Sequence, residues 1–206
     1  MHKLHPVNFS NYILIIFITA LFFSFFAGCR KNLPVEKSIR TSFQLLNQDS
    51  NKVVFPNDFK GNITVMSFLY TNCPDVCPLT TNNLRMLQER LKKDNVKGVQ
   101  FVEVSFDPDR DTPSILKKYA DVRSIDVKNF QLLTGNKKTI DSLLKVMNIY
   151  AIPADTIKYN NNNGFTYSFI HTDRITLLDR ESRIRKEYKG SIINQKEILK
   201  DIKSLE

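Results

Sequence analysis

Apolar runs and segments of helical periodicity alternate along the chain from about residue 43 onward. Two runs rich in β-branched and aromatic residues, Ile63 to Tyr70 and Val99 to Phe106, are long enough for buried strands. Between them, leucines at 84, 87 and 91 recur at helical spacing, and Pro78 suits the first position of a helix that ends near residue 94. The same reasoning predicts three further helices, from Pro113 to about 121, from Asn136 to about 147 and from about Asn194 onward. It also predicts a strand over Phe130 to Leu133 and two hairpins, within Phe43 to Phe55 and over Arg174 to Tyr188. The segment from Asn160 to Gly164 is predicted as a loop.

This order of elements indicates the fold class. Strands that alternate with helices favour an α/β fold, and the hairpins at both ends of the series add antiparallel strands to its sheet. We therefore expect a central mixed sheet flanked by helices, preceded by an N-terminal β-hairpin. The stretch from Cys29 to Glu206 is long enough for one domain with a substantial core and too short for two.

The first 29 residues have the pattern of an export signal. Lys3 and two histidines precede an apolar run from Ile13 to Phe26, and the small residues Ala27 and Gly28 stand directly before Cys29. This ending resembles the lipobox of bacterial lipoproteins, in which the cysteine becomes the acylated first residue of the mature chain. An uncleaved anchor helix is the alternative, although the run is short against the ~20 residues that a membrane span needs.

The signal sets the expected domain limits and location. We expect a lipoprotein-type signal peptide over 1–28, a polar tether over 29–41 and one domain over 42–206. The domain is then expected in the cell envelope, facing the periplasm, and anchored to a membrane through Cys29.

The chain is basic, with a formal net charge of +9 at pH 7. An exported protein meets no nucleic acid, so we exclude that partner. The lysines and arginines after residue 179 are scattered, which is typical of a solvated basic face. The excess charge could also steer the domain toward anionic lipid headgroups or an acidic protein partner.

The pair Cys73 and Cys77 stands between the first core strand and the helix that follows it. Exposed N–H groups and the helix dipole at that position favour a thiolate over a thiol. Three interpretations fit: a structural disulfide, a redox-active dithiol or a metal site. Three residues separate the cysteines, whereas disulfide oxidoreductases typically use two, and the wider loop can present both sulfurs to one ion.

Few other soft ligands remain once the signal is removed. His2 and His5 leave with it and Cys29 carries the lipid, so the domain keeps the cysteine pair and one imidazole, His171. If the domain binds a soft metal, these residues are the available ligands. Taken alone, a histidine such as His171 is more often an ordinary, partly buried residue than a metal ligand.

Four separated segments, in order, carry a resemblance to a known family. They are Phe68-Leu69-Tyr70-Thr71-Asn72-Cys73-Pro74-Asp75-Val76-Cys77-Pro78, Val104-Ser105-Phe106-Asp107-Pro108-Asp109-Arg110-Asp111-Thr112-Pro113, Leu132-Leu133-Thr134-Gly135, and His171-Thr172 with the strand ending Leu177-Leu178-Asp179. Together they resemble the SCO/SenC family, copper-handling proteins of cytochrome c oxidase assembly, over about residues 40–205. The chain departs from the family pattern at Ile170, where an Asp often precedes the histidine.

The resemblance implies a thioredoxin-like fold with Cys73, Cys77 and His171 as copper ligands. Thiolates suit Cu(I), and an imidazole beside them also tolerates Cu(II), so one site can hold both oxidation states. Asp107 occupies the position of a family acid near the site. It could orient the ligands through hydrogen bonds without binding the metal, or its only role could be to close the Asp-Pro turn with Asp109 and Asp111.

Two functions follow from the resemblance. In the first, a membrane-tethered protein delivers copper to the dinuclear copper site of cytochrome c oxidase, whose copper-site subunit is then the partner. In the second, a thiol–disulfide oxidoreductase uses Cys73 and Cys77 to reduce the cysteines of that site or of other exported proteins. Peroxide scavenging on a related fold is a third class, but its Thr-x-x-Cys motif is absent, since Tyr70 stands three residues before Cys73.

Overall fold

The computed structural model of the protein describes residues 33–158 and 165–206. The predicted signal peptide, Cys29 and the predicted loop at Asn160 to Gly164 lie outside these ranges. Within them, no helix is both long enough and apolar enough to cross a membrane.

Ten strands and four α-helices make up the described chain. The strands are β1 (Lys37–Ser38), β2 (Phe43–Asn47), β3 (Lys52–Phe55), β4 (Ile63–Leu69), β5 (Val99–Ser105), β6 (Phe130–Thr134), β7 (Ala151–Lys158), β8 (Phe165–His171), β9 (Arg174–Leu178) and β10 (Arg183–Lys189). The helices are α1 (Val76–Lys93), α2 (Pro113–Val122), α3 (Lys137–Met147) and α4 (Gln195–Ser204), and a short 3₁₀ helix spans Asn57–Phe59.

Eight strands form one mixed sheet in the order β1-β10-β9-β4-β5-β6-β2-β3. At its centre β4, β5 and β6 run parallel, whereas β9 and β2 join them antiparallel. Every residue of β4 is buried, as expected for a strand with both faces covered by other elements. The predicted α/β fold with a central mixed sheet and an N-terminal hairpin, β2–β3, is confirmed.

One helix start differs from the sequence prediction, and the helix caps vary. Helix α1 begins at Val76, two residues before the predicted Pro78, so Cys77 already lies in its first turn. Thr112 stands at the N-cap of α2, but its side chain makes no capping hydrogen bond. Asn136 and Asn194 do cap α3 and α4, because their side chains accept the N–H groups of Thr139 and Glu197.

Two further elements have no counterpart among the predictions. Strand β1 is a two-residue strand that pairs with β10. The hairpin β7–β8 forms a separate two-stranded sheet, with a register shift between Pro153 and Thr156. Its first strand contains a proline, which removes a ladder donor and obscures the strand pattern.

The segment before β2 lies along the edge of the sheet. The Glu36 N–H donates to the Ile184 carbonyl at 2.8 Å. The Arg185 guanidinium, held by Asp179 at 2.9 Å, donates to the carbonyls of Leu33 and Pro34. Hydrogen bonds through their backbone groups therefore fix residues 33–38 to β10. The exact limit between the tether and the domain stays a prediction.

A buried acid lies under α1. Glu103, in β5, is 0% exposed, and its Oε1 accepts hydrogen bonds from Ser67 at 2.7 Å and Thr81 at 3.1 Å. The Thr81 hydroxyl also contacts the Tyr119 hydroxyl at 3.0 Å, which links β4, β5, α1 and α2 through polar groups. No described residue is a hydrogen-bond partner of Glu103 Oε2. Burial raises the pKa of Glu103 from 4.5 to about 7, although the bonds from Ser67 and Thr81 oppose this shift.

The raised pKa predicts a pH-dependent stability. Between about pH 5 and pH 7 the folded state keeps the Glu103 proton and the unfolded state releases it, so the free energy of unfolding falls as pH rises, by up to about 3 kcal/mol. Glu103→Gln mimics the protonated acid and removes this contribution. We expect denaturant titrations between about pH 5 and pH 8 to show the variant gaining stability relative to the parent as pH rises. Parallel pH profiles for the two proteins would contradict the prediction.

Candidate metal centre

Both cysteines lie where β4 passes into α1. Cys77 is the second residue of α1, and Cys73 lies in the turn before the helix. The Cys77 N–H donates to Cys73 Sγ at 3.5 Å, so the helix start stabilises negative charge on that sulfur. Both residues are buried, and their sulfurs are not bonded to each other. The expected position of the pair at a helix N-terminus is confirmed.

The imidazole comes from a residue 98 positions after Cys73. His171 is the last residue of β8, and its Nε2 lies 3.6 Å from Cys77 Sγ and 4.0 Å from Cys73 Sγ. The three ligand atoms all lie within 4.8 Å of one another. Across the described parts of the chain, this is the one group of three or more histidine, cysteine or acidic side chains arranged to hold a metal ion.

The two sulfurs differ in acidity. A hydrogen bond from the Cys77 thiol, together with one from His171, holds the pKa of Cys73 far below its usual value despite burial. The same bond to Cys73, and then burial, raise the pKa of Cys77. Cys73 is therefore the thiolate of the pair, and the deeper Cys77 carries the proton.

The imidazole is oriented by the backbone next to it. His171 Nδ1 lies 3.1 Å from the Thr172 carbonyl, so Nδ1 carries the proton and donates, which directs Nε2 to the sulfurs. Thr172 is itself fixed, because its N–H donates to the Tyr150 carbonyl at 2.9 Å and its hydroxyl accepts from the Tyr150 N–H at 3.0 Å. Burial opposes protonation of the ring, but the bonds to Cys73 and Thr172 raise the pKa of His171 overall.

Aromatic rings pack beside the imidazole. Its ring centre lies 5.1 Å from that of Phe106 and 6.0 Å from that of Tyr70. Phe169, two residues earlier on β8, makes edge contacts with both of these rings at 5.1 Å and 5.0 Å. Tyr70 and Phe106 are the residues directly after β4 and β5, so the ends of the central strands provide the rings on which the His171 imidazole packs.

A buried carboxylate holds the start of the cysteine loop. Asp111 accepts hydrogen bonds from the Thr71 N–H at 3.0 Å, the Thr71 hydroxyl at 2.5 Å and the Ser105 hydroxyl at 2.5 Å. Burial raises the pKa of Asp111, and these bonds from Ser105 and Thr71 counteract that effect. The loop that carries Cys73 is thus attached to the end of β5 two residues before the cysteine.

Asp173 fixes the chain just after the imidazole. Its carboxylate accepts from the Thr80 hydroxyl of α1 at 3.1 Å and from the N–H and hydroxyl of Ser191 at 2.8 and 2.5 Å. Gly190 allows this close approach, since a Cβ there would lie 2.5 Å from Asp173 Oδ1 and 2.7 Å from Thr80 Oγ1. The turn after His171 is therefore attached to the helix that carries Cys77.

Asp107, the acid expected near the site, does not belong to the three-ligand group. Its carbonyl accepts the N–H groups of Arg110 and Asp111, which closes the Asp-Pro turn. Its carboxylate accepts from the Tyr167 hydroxyl at 2.6 Å, and burial raises the pKa of Asp107. Sequence reasoning missed Tyr167 and Phe169, although Tyr167, Phe169 and His171 alternate with Ser168 and Ile170 as a half-buried strand requires.

The three donors fit one soft metal ion. Bonds of about 2.3 Å to sulfur and about 2.0 Å to nitrogen separate neighbouring ligand atoms by roughly 3.5–3.8 Å, close to the 3.6 and 4.0 Å between His171 Nε2 and the two sulfurs. Two thiolates and an imidazole select copper, zinc or iron–sulfur centres over magnesium or calcium. The same pair of sulfurs can also close a disulfide, which would use both thiolates.

The SCO1/SenC family model matches residues 32–206 of the chain. Among solved structures, a SCO1/SenC family lipoprotein from Bacillus anthracis str. Ames superposes with a TM-score of 0.70 at 32% identity, over 84% of this chain and 96% of that one. ScoI of Bradyrhizobium japonicum, solved with copper bound, superposes with a TM-score of 0.67 at 28% identity, over 82% of this chain and 99% of that one.

A third solved structure bears on the redox chemistry. BsSco, described as a member of the Sco family of cytochrome c oxidase assembly proteins with a disulfide switch, superposes with a TM-score of 0.68 at 27% identity. The match covers 85% of this chain and 98% of that one. These likenesses confirm the predicted thioredoxin-like fold. With the family model matched over nearly the whole described chain, the protein belongs to the SCO1/SenC family.

Proposed function

We propose that this protein binds copper through Cys73, Cys77 and His171 and delivers it to the dinuclear copper site of cytochrome c oxidase during assembly. The convergence of two sulfurs and one imidazole nitrogen within 4.8 Å is the observation that carries the proposal. The copper bound in the related ScoI supports the choice of metal. The description of BsSco as an oxidase assembly protein supports the choice of partner.

The acidities of the ligands suit loading and release. Cys73 is a thiolate before the metal arrives, so it can make the first bond, and Cys77 joins when its proton leaves. Two thiolates satisfy Cu(I), and the added imidazole stabilises Cu(II). Loss of the His171 bond leaves a two-sulfur complex from which a partner's ligands can take the ion.

We predict one tightly bound Cu(I) per chain. The titration uses the chain with Cys29→Ser, His2→Ala and His5→Ala, so that Cys73 and Cys77 are its only thiols and His171 is its only imidazole. Cys73→Ser/Cys77→Ser should abolish tight binding because both soft ligands are lost, whereas His171→Ala should weaken Cu(II) far more than Cu(I). Anaerobic competition with a chromophoric chelator measures both affinities. If the double-serine variant binds Cu(I) as tightly as the parent does, Cys73 and Cys77 are not the copper ligands.

Thiol–disulfide exchange is the second candidate function. The hydrogen bond between the two sulfurs and the lowered pKa of Cys73 are the features that a reactive dithiol needs. The disulfide switch described for BsSco supports it. In this function the dithiol passes two electrons to a partner disulfide, and Cys73 and Cys77 become joined while the partner's thiols form.

His171→Ala separates delivery from thiol reduction. The variant keeps both sulfurs, the helix terminus and the hydrogen bond from Cys77 that is the main cause of the low pKa of Cys73, so we expect its dithiol to reduce a model disulfide at nearly the parent rate. We also expect impaired oxidase assembly in cells when copper is scarce, because the third ligand is lost. Oxidase activity in such cells is the measurement, with Cys77→Ser as the variant defective in both functions. If His171→Ala supports full oxidase activity while Cys77→Ser does not, reduction is the main role.

We further propose that Cys29 carries a lipid that holds the domain at the periplasmic face of a membrane. The small residues before Cys29 and the apolar run before them support this, as does the lipoprotein description of the Bacillus anthracis relative. The predicted tether between Cys29 and the domain, residues 29–41, is short. The domain would therefore lie close to the membrane surface.

Cys29→Ser tests the anchor. A serine has no thiol to acylate, so we expect the variant to lose metabolic labelling by palmitate and to keep residues 1–28. The intact mass of the parent, extracted from membranes, should correspond to a chain that begins at an acylated Cys29. A parent that still carries residues 1–28 would instead show an uncleaved N-terminal anchor.

A further inference from the structure

We propose that Tyr167 is a positioning residue for the third metal ligand, because its hydrogen bond to the buried Asp107 fixes β8 at the place where the His171 imidazole meets the two sulfurs. The proposal rests on the copper site proposed above. Tyr167 is not itself a ligand. It acts on the metal only through the strand that it shares with His171.

Alternate residues of β8 form a row that faces the domain. Tyr167, Phe169 and His171 stand at every second position, and residues two apart share one face of a strand. The Tyr167 and Phe169 rings make an edge contact with centres 5.4 Å apart, and Phe169 and His171 both pack on Phe106. Ile170, between them, points outward and is 71% exposed. A displacement of β8 therefore moves the phenol, the phenyl ring and the imidazole together.

One charged hydrogen bond holds the far end of this row. The Tyr167 hydroxyl donates to Asp107 Oδ1 at 2.6 Å, and Asp107 is only 4% exposed. The Arg110 guanidinium lies 3.5 Å from the centre of the Tyr167 ring and fixes the phenol further. In the described part of the chain, Asp107 Oδ2 has no hydrogen-bond partner. Deleting the phenol hydroxyl therefore removes the side-chain donor of a buried acid, a strongly unfavourable change.

Among the described residues, no backbone ladder joins β8 to the main sheet. Within the described ranges β7 pairs with β8 alone, so the eight-stranded sheet does not set the position of His171. The strand is held by ring contacts on Tyr70 and Phe106 and by side-chain hydrogen bonds on each side of the imidazole, from Tyr167 to Asp107 before it and from Thr80 to Asp173 after it. Without the hydrogen bond from Tyr167, the part of β8 before His171 is held more weakly, so it can shift about the turn after His171 and withdraw Nε2 from the sulfurs.

The two oxidation states of copper should respond differently to that movement. Both sulfurs belong to the cysteine loop and α1, which do not depend on β8, so the two-sulfur complex of Cu(I) survives. Cu(II) needs the imidazole and loses affinity when Nε2 is displaced. The hydrogen bond between Tyr167 and Asp107 thus favours retention of Cu(II) over Cu(I).

Tyr167→Phe tests the proposal in the full chain carrying Cys29→Ser, His2→Ala and His5→Ala, in which His171 is the only imidazole. We expect the Kd for Cu(II) to rise about tenfold, the change that corresponds to one lost hydrogen bond to a charged group. The Kd for Cu(I) should change by less than about twofold. The visible and electron paramagnetic resonance spectra of the Cu(II) form should shift toward those of His171→Ala. Without metal, hydrogen exchange in peptides that span β8 should become faster.

Tyr188→Phe is the matched control, because the Tyr188 hydroxyl donates to Asp201 at 2.8 Å between β10 and α4, outside the site. It should lower thermal stability without changing the Cu(II)/Cu(I) affinity ratio or the exchange of β8. Asp107→Ala should behave like Tyr167→Phe, and the double variant should lose no more Cu(II) affinity than either single variant.

The outcomes separate the two proposals. If the parent binds Cu(I) and Cu(II) but Tyr167→Phe keeps the parent ratio, or if the losses of the two single variants add, Tyr167 is not a positioning residue. If the parent binds no copper, the proposed function fails, and hydrogen exchange alone then tests the positioning role of Tyr167. Faster exchange of β8 in Tyr167→Phe than in Tyr188→Phe supports the positioning role, and equal exchange overturns it.

Discussion

The parallel pairing of β4 with β5 is the constraint on which the candidate site depends. Its register, with Leu69 opposite Ser105, brings the carboxyl ends of both strands to one edge of the sheet. The chain leaving β4 supplies Tyr70 and the cysteine loop, and the chain leaving β5 supplies Phe106 and Asp107. Because these strands are packed on both faces, a slip in register would move every side chain to the opposite face and disrupt the packing on both, so the core itself sets the relative positions of the two loops.

Hydrogen bonds from buried acids then attach the loops to one another. Asp111 joins the cysteine loop to the end of β5, and Asp173 joins the turn after His171 to α1. Each carboxylate is satisfied by hydroxyl and N–H donors rather than by a facing lysine or arginine. Among the described contacts of Cys73, the helix N–H groups, the Cys77 thiol and His171 stabilise its negative charge, and neither of these two acids faces it with a lysine or arginine partner.

The sequence predicts the central layers of the fold well, because continuous apolar runs, helical periodicity and Asn caps are local signals that burial reinforces. It identifies Cys73, Cys77 and His171 through residue chemistry and motif resemblance. It does not reveal the β7–β8 hairpin, since Pro153 interrupts the strand pattern and the pairing lies outside the main sheet. Nor can spacing alone show that Asp107 faces Tyr167, sixty positions away. Contacts of that kind are decided by how two independently folded segments pack, and a local pattern carries no information about them.

The ligands are divided between two parts of the fold that differ in how they are held. The sulfurs belong to a loop and helix joined directly to the central sheet, whereas the imidazole belongs to a hairpin held by ring contacts and a few hydrogen bonds. Local stability follows the density of such contacts, so the hairpin opens at a lower free energy than the sheet. In the proposed copper site, an opening of this kind would remove the His171 nitrogen and leave both sulfurs in place, without unfolding the domain. Copper transfer and disulfide formation, the two proposed chemistries, would both require that accessible pair of sulfurs, so the separation of the imidazole from the sulfurs would serve either one.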